Sequence, residues 1–283
     1  AINGVGIGLF EKGKENDAAD FMIDFWKNLT AGQVYANWPG WIIEGAFWRT
    51  GLYNNTRFVD FLIEHVPMDK IHRKVTVGAT NAKTGAFVRF NEDLPIDEFK
   101  YKATAASSAF PGFFRTVDYH NMTLIDGGVT MNLDIAGAIE RCKEDGVKES
   151  DITIDIVMCS GSVLSDVDPS GYNSIQMIRR LKQISDFQKS MHWITDGIAN
   201  FPNVSFRYIV SPDGPLDSEF LPIGFKPDEI RRLIEVGRQD AKQTINLGEG
   251  VYLNHLKNYW INSMDNPETQ QSFKEYLNEI IKE

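Results

Sequence analysis

The sequence predicts an α/β protein, with a mostly parallel sheet and helices on both faces. Three observations lead there. Stretches of helical periodicity alternate with short β-branched runs along the whole chain. The strand-like runs are apolar rather than strictly alternating, the pattern of strands covered on both sides. No repeat or linker-like stretch interrupts the 283 residues, a length that suits a single domain over 1–283.

The chain opens Ala1-Ile2-Asn3-Gly4-Val5-Gly6-Ile7-Gly8, a small, glycine-rich, apolar helix start. It shows neither an initiator methionine nor the charged, apolar and cleavage regions of a signal peptide, so a segment before Ala1 is expected. Phe21, Met22, Phe25, Trp26 and Leu29 give a helix over 17–29. Residues 38–53 concentrate aromatics in a stretch broken by Pro39 and Gly40. Arg57 to His65 reads as a helix stopped by Pro67. Lys74 to Thr80 and Ala86 to Phe90 read as strands across the Lys83-Thr84-Gly85 turn. Asp97 to Ser108 is a helix whose last turns are nearly all small, ended by Pro111-Gly112. Met122 to Ile125 is a short strand running into Asp126-Gly127-Gly128.

Beyond it, Asp134 to Asp145 forms an amphipathic helix ending at Gly146. Ile152 to Cys159 is the clearest strand in the chain. A long helix covers 174–199, a strand 204–210, and a helix with proline at its start 227–245. A last amphipathic helix spans 267–281.

Composition sets the class. Hydrophobic residues make up 42% and charged residues 24%, which excludes disordered, collagenous and low-complexity chains. No run approaches the roughly 18 apolar residues of a membrane-spanning helix. The two cysteines, Cys142 and Cys159, exclude a disulfide framework and have no metal-ligand spacing. A net charge of −10 without a dense Lys/Arg run argues against nucleic acid as a partner.

The most informative stretch runs from Ala105 to Asp134: small-residue helix, Pro-Gly, strand, Asp-Gly-Gly, Asn. An aspartate at the carboxyl end of a buried strand lies at the sheet edge where α/β folds place ligands. Gly127 and Gly128 let backbone approach a substrate closely. Such an aspartate orients a nucleophile hydroxyl and accepts its proton. A plain turn, with Asp126 bonding its own backbone, explains the same three residues. The local sequence leaves both readings open.

The wider pattern resembles the patatin-like phospholipases, a family of acyl hydrolases. The family's G-x-S-x-G elbow is followed by small residues and asparagine, as in Ala1-Ile2-Asn3 here. Gly51-Leu52-Tyr53 before a helix, the Thr80–Gly85 turn, and Ala106-Ser107-Ser108-Ala109-Phe110-Pro111-Gly112-Phe113-Phe114 follow in the family's order. Asp126-Gly127-Gly128 matches its D-G-G/A motif, with Asn132 soon after. A closing block at Leu221–Phe225 through Gly237 is also similar. The resemblance runs over 1–245 and leaves 246–283 as a C-terminal helical extension.

The resemblance implies a three-layer patatin-like fold whose N-terminal strand is missing from this chain. It implies phospholipase A2 or related lipid acyl hydrolase activity through a Ser-Asp dyad, with no catalytic histidine, metal or organic cofactor. Asp126 is the implied dyad aspartate. The serine would stand three residues before Ala1, on a strained strand-to-helix turn. Gly127, Gly128, Ala1 and Asn3 would lie near the substrate and oxyanion, and the glycine-rich oxyanion loop further upstream. Three explanations of the missing elbow stand: a segment outside this sequence, a separate N-terminal fragment chain retained non-covalently, or an inactive scaffold that lost the serine. The implied partners are an acyl lipid and a membrane surface.

Other features have simpler readings. The five histidines (His65, His72, His120, His192 and His255) show no ligand spacing, and His120 falls in a hairpin tip. The aromatics of 38–53 suit an acyl pocket or membrane-facing surface, and equally a core segment or lid. Sequons at Asn28, Asn54, Asn121 and Asn203 point to glycans and a secretory, lysosomal or extracellular site. A cytoplasmic protein at a membrane surface is the alternative.

Overall fold

The computed structural model describes residues 1–66, 70–159, 164, 167–212, 216 and 224–265. Its contacts divide into two compact units. The first comprises 1–138 with the described part of 221–232, and the second the remaining described residues.

The first unit opens with α1 (Ile2–Gly8), followed by α2 (Glu15–Asn28). Acidic Glu15 and Asp17 at the start of α2 and Lys27 at its end suit the helix dipole. A short α3 (Ala31–Val34) starts at a Thr30/Gln33 capping box. Then come α4 (Trp41–Trp48), β1 (Gly51–Tyr53) and α5 (Thr56–His65). Helix α5 buries Phe58, Phe61 and Leu62, the i, i+3, i+4 stripe of a core-facing helix.

Next are β2 (Thr76–Asn81) and β3 (Phe87–Asn91), joined by a tight turn at Gly85, whose φ is +74°. Helix α6 (Ile96–Glu98) passes through a π-helical turn, Phe99–Ala103, into α7 (Thr104–Ala106). The hydroxyl of Thr104 donates to the Phe99 carbonyl at 3.1 Å, reinforcing the widened turn. Three strands follow: β4 (Gly112–Phe114), β5 (Val117–Tyr119) and β6 (Met122–Asp126). Helix α8 (Ile135–Lys143) begins at the end of this unit.

The main sheet has the order β3-β2-β6-β5 and is antiparallel throughout. Strands β1 and β4 form a separate parallel pair. The α/β class of the sequence reading holds, but the pairing is mixed rather than mostly parallel. Tight turns join β2 to β3 and β5 to β6, and such turns admit only antiparallel neighbours. The apolar character of these strands reports burial, not direction. The core beneath the sheet gathers Val5, Phe25, Leu29, Phe61, Leu62, Val77, Phe99 and Leu124, with Phe225 packed against it.

The second unit contains β7 (Thr153–Val157), α9 (Ser174–Asn200), β8 (Ser205–Val210), α10 (Pro227–Leu247) from Leu233 onward, and α11 (Val251–Asp265). Strands β7 and β8 pair in parallel, with a register shift between Ile154 and Asp155. The shift leaves Arg207 free to clasp Asp155, whose pKa that bond lowers. Strand β7 is not doubly covered: Thr153, Asp155 and Val157 are exposed. Cys142 and Cys159 form no disulfide. Among the described residues no helix is long and apolar enough to cross a membrane. The sequence-predicted helix over 267–281 lies outside the described residues.

Candidate active site

Asp126 ends β6, an inner strand of the four-stranded sheet, opposite Ala79 of β2. Two bonds to its backbone fix its place. Its N–H donates to the Ala109 carbonyl at 3.0 Å, and its own carbonyl accepts the Thr80 hydroxyl at 3.0 Å. The Thr80 hydroxyl also meets that of Thr130 at 2.9 Å, tying β2 to the segment beyond the Asp-Gly-Gly turn. Ala105, Ala106 and Ala109 are almost fully buried, which lets the chain after α7 reach the backbone of β6.

Gly127 is sterically required and Gly128 sits in a tight space. A Cβ on Gly127 would lie 2.4 Å from the Gly78 carbonyl oxygen, so only glycine lets the turn rest on β2. A Cβ on Gly128 would lie 3.1 Å from both the Asn132 and the Asp126 Oδ1 atoms. The side chain of Asp126 accepts the Gly128 N–H through Oδ1 at 2.7 Å, capping a 3₁₀ turn over Gly127–Val129. This is the Asx-type turn that the local sequence suggests. Among the described residues nothing donates to Oδ2. The carboxylate is thus held by one oxygen and open at the other.

Burial raises the pKa of Asp126 above its ordinary value. The Gly128 N–H, which donates to the carboxylate, opposes that shift. Gly6 and Gly8 seat α1: a Cβ on Gly6 would lie 2.8 Å from Met22 Cγ, and one on Gly8 2.4 Å from Val75 Cγ2.

The structure brings together Asp126, Gly127 and Gly128 in one turn. Asn3 turns elsewhere, its Oδ1 accepting the Trp26 indole N–H at 2.7 Å. Asp134 is engaged through both oxygens by Arg89 at 2.5 and 2.7 Å. His120 sits exposed at the β5–β6 tip with φ +49°, a turn residue rather than a triad member. The Thr80 and Thr130 hydroxyls, which lock the aspartate's backbone, gave no recognisable signal beyond the position of Thr80 at the end of its strand. No group of metal-ligating side chains occurs among the described residues. An apolar cavity of about 10 Å³ lies between Ile2, Val5, Phe21, Phe25 and Leu62, with room for a water but not an acyl chain.

Residues 1–139 match the family model of the patatin-like phospholipases. The match covers just under half of the chain. It ends within one residue of the continuous part of the first compact unit, 1–138, and includes the whole Asp126 turn. The resemblance read from the sequence as far as residue 245 extends beyond the matched patatin-like segment. No curated protein matches the chain. Lipid acyl hydrolysis is the activity that the patatin-like family suggests.

Proposed function

We propose that this chain is part of a serine-dependent lipid acyl hydrolase, acting on phospholipids or related fatty-acyl esters through a Ser-Asp dyad. The observation that carries this reading is Asp126: half-buried, fixed through Oδ1 and open at Oδ2 at the end of an inner strand. In the full-length protein the serine stands three residues before Ala1, where the elbow delivers the chain into α1. The open oxygen of Asp126 takes the serine proton as the hydroxyl attacks the ester carbonyl. Backbone N–H groups upstream hold the oxyanion, each donor worth a few kcal/mol. The alcohol leaves with the returned proton, and water activated by the same carboxylate releases the fatty acid. The step needs no metal or organic cofactor.

Fatty-acid release from phosphatidylcholine vesicles by the full-length protein tests this reading. Release by the parent and its loss in Asp126→Asn are expected. A folded parent that cleaves no acyl ester would instead favour an inactive scaffold that kept the fold.

A further inference from the structure

We propose that α4 is a membrane-seating helix, which lies in the boundary between headgroups and acyl chains of a phospholipid surface and brings the Asp126 turn to its substrate. The assignment rests on the lipid-hydrolase reading for its purpose, but stands on its own geometry.

Helix α4 reads Trp41-Ile42-Ile43-Glu44-Gly45-Ala46-Phe47-Trp48. Its large side chains face outward: Trp41 is 69% exposed, Phe47 77% and Trp48 73%, with Ile42 and Ile43 at least half exposed. Trp41 has φ +58°, a costly conformation for an aromatic residue. A tryptophan at each end suits a helix lying flat at a lipid–water boundary, where indole rings concentrate.

Charge decides the occupant. Glu44 is the helix's only ionisable residue, and its oxygens accept the Gly40 N–H at 2.8 Å and two Arg49 donors at 2.7 and 2.5 Å. The Arg49 guanidinium in turn lies over the Trp38 ring, 4.6 Å from its centroid. The charges are neutralised within the segment, which lowers the cost of leaving water. They also offer little directional bonding to a protein partner, whose interfaces typically carry a hydrogen bond per 100–200 Å². Phospholipid is the partner that requires none.

The helix is firmly mounted and connected to the site. A Cβ on Gly45 would lie 2.4 Å from the Leu52 carbonyl oxygen, so helix and β1 touch backbone to backbone. The Trp38 indole N–H donates to the Gly51 carbonyl at 3.1 Å. Strand β1 pairs with β4, which follows exposed Phe110 and Ala109, the residue that accepts the Asp126 N–H. A continuous structural path thus joins α4 to the candidate base.

The test uses full-length protein and vesicles of zwitterionic diether phosphatidylcholine, which cannot be hydrolysed, so binding is read whether or not the chain is an esterase. Co-flotation that survives high salt is expected, because the contact is apolar and the protein carries −10. Phe47→Asp, at an exposed position, should weaken partitioning by at least about tenfold. Ile245→Asp, at an exposed apolar position on α10, should leave it unchanged. Brominated acyl chains should quench parent tryptophan fluorescence, and the double variant Trp41→Phe, Trp48→Phe should lose that quenching. No flotation, equal weakening by both aspartates, or quenching unaffected by the tryptophan replacements would overturn the assignment. So would a self-associated parent that ignores vesicles and is dispersed by Phe47→Asp, which would give the face to a second copy.

Discussion

At Asp126, opposing requirements meet in one side chain. A general base must be ionised, yet burial favours the protonated acid and raises the pKa. The acid limb of ester hydrolysis should therefore lie above the pH at which an ordinary aspartate titrates. A pH–rate profile of kcat/KM for the full-length protein checks it. The same shift has a stability consequence of definite sign. Between the unfolded and the raised folded pKa the native state binds more protons, so stability falls as pH rises through that window. Asp126→Asn escapes this loss and still offers an oxygen to the Gly128 N–H. It should therefore be at least as stable as the parent at neutral pH, with the difference shrinking in acid, in urea melts at pH 7 and 4. The neighbouring Gly127→Ala should behave oppositely. Its Cβ would strike the Gly78 carbonyl, a backbone atom that cannot swing away. A loss of about 1–3 kcal/mol in urea unfolding is expected.

At the scale of elements, α4 hangs on one close approach. Gly45→Ala would place a methyl against the Leu52 carbonyl and should lever α4 from β1. Faster amide exchange in 51–53 and a melting temperature lowered by several degrees would register it, the change expected for about 1–3 kcal/mol of overpacking. Most elements are legible from local pattern. Apolar spacing gives α2 and α5, β-branched runs give β2 and β8, and Gly85 marks the first hairpin. Helix α4 is not legible, because it is apolar nearly all round and has no polar face to set a helical period. Pairing direction is also hidden, since burial makes parallel and antiparallel strands read alike. The Asp-Gly-Gly turn is visible in sequence as a turn. Its close rest on Gly78 is a long-range fact that no local pattern encodes.

Across the whole chain, the two units carry different chemistry. The patatin-like match and Asp126 belong to the first, whereas the second holds the buried histidine, His255. Desolvation lowers the pKa of His255 to about 4. The unfolded chain therefore binds the proton first, and stability present above pH 6.5 is lost as pH falls toward 4. The loss attributable to this group is about 3 kcal/mol. His255→Gln should flatten that dependence in denaturant melts followed between pH 7 and 4, and an unchanged slope would assign it to other groups.

The central claim is that Asp126 serves a serine just upstream of Ala1. Covalent labelling of the full-length protein by an acyl-chain fluorophosphonate tests it most directly, because the probe reads the nucleophile and its activation in one reaction. The account predicts a single adduct, mapped to the serine three residues before Ala1. It also predicts labelling about 10²- to 10⁴-fold slower in a folded Asp126→Asn variant. An adduct elsewhere in the chain, or labelling of the variant at the parent's rate, would contradict it.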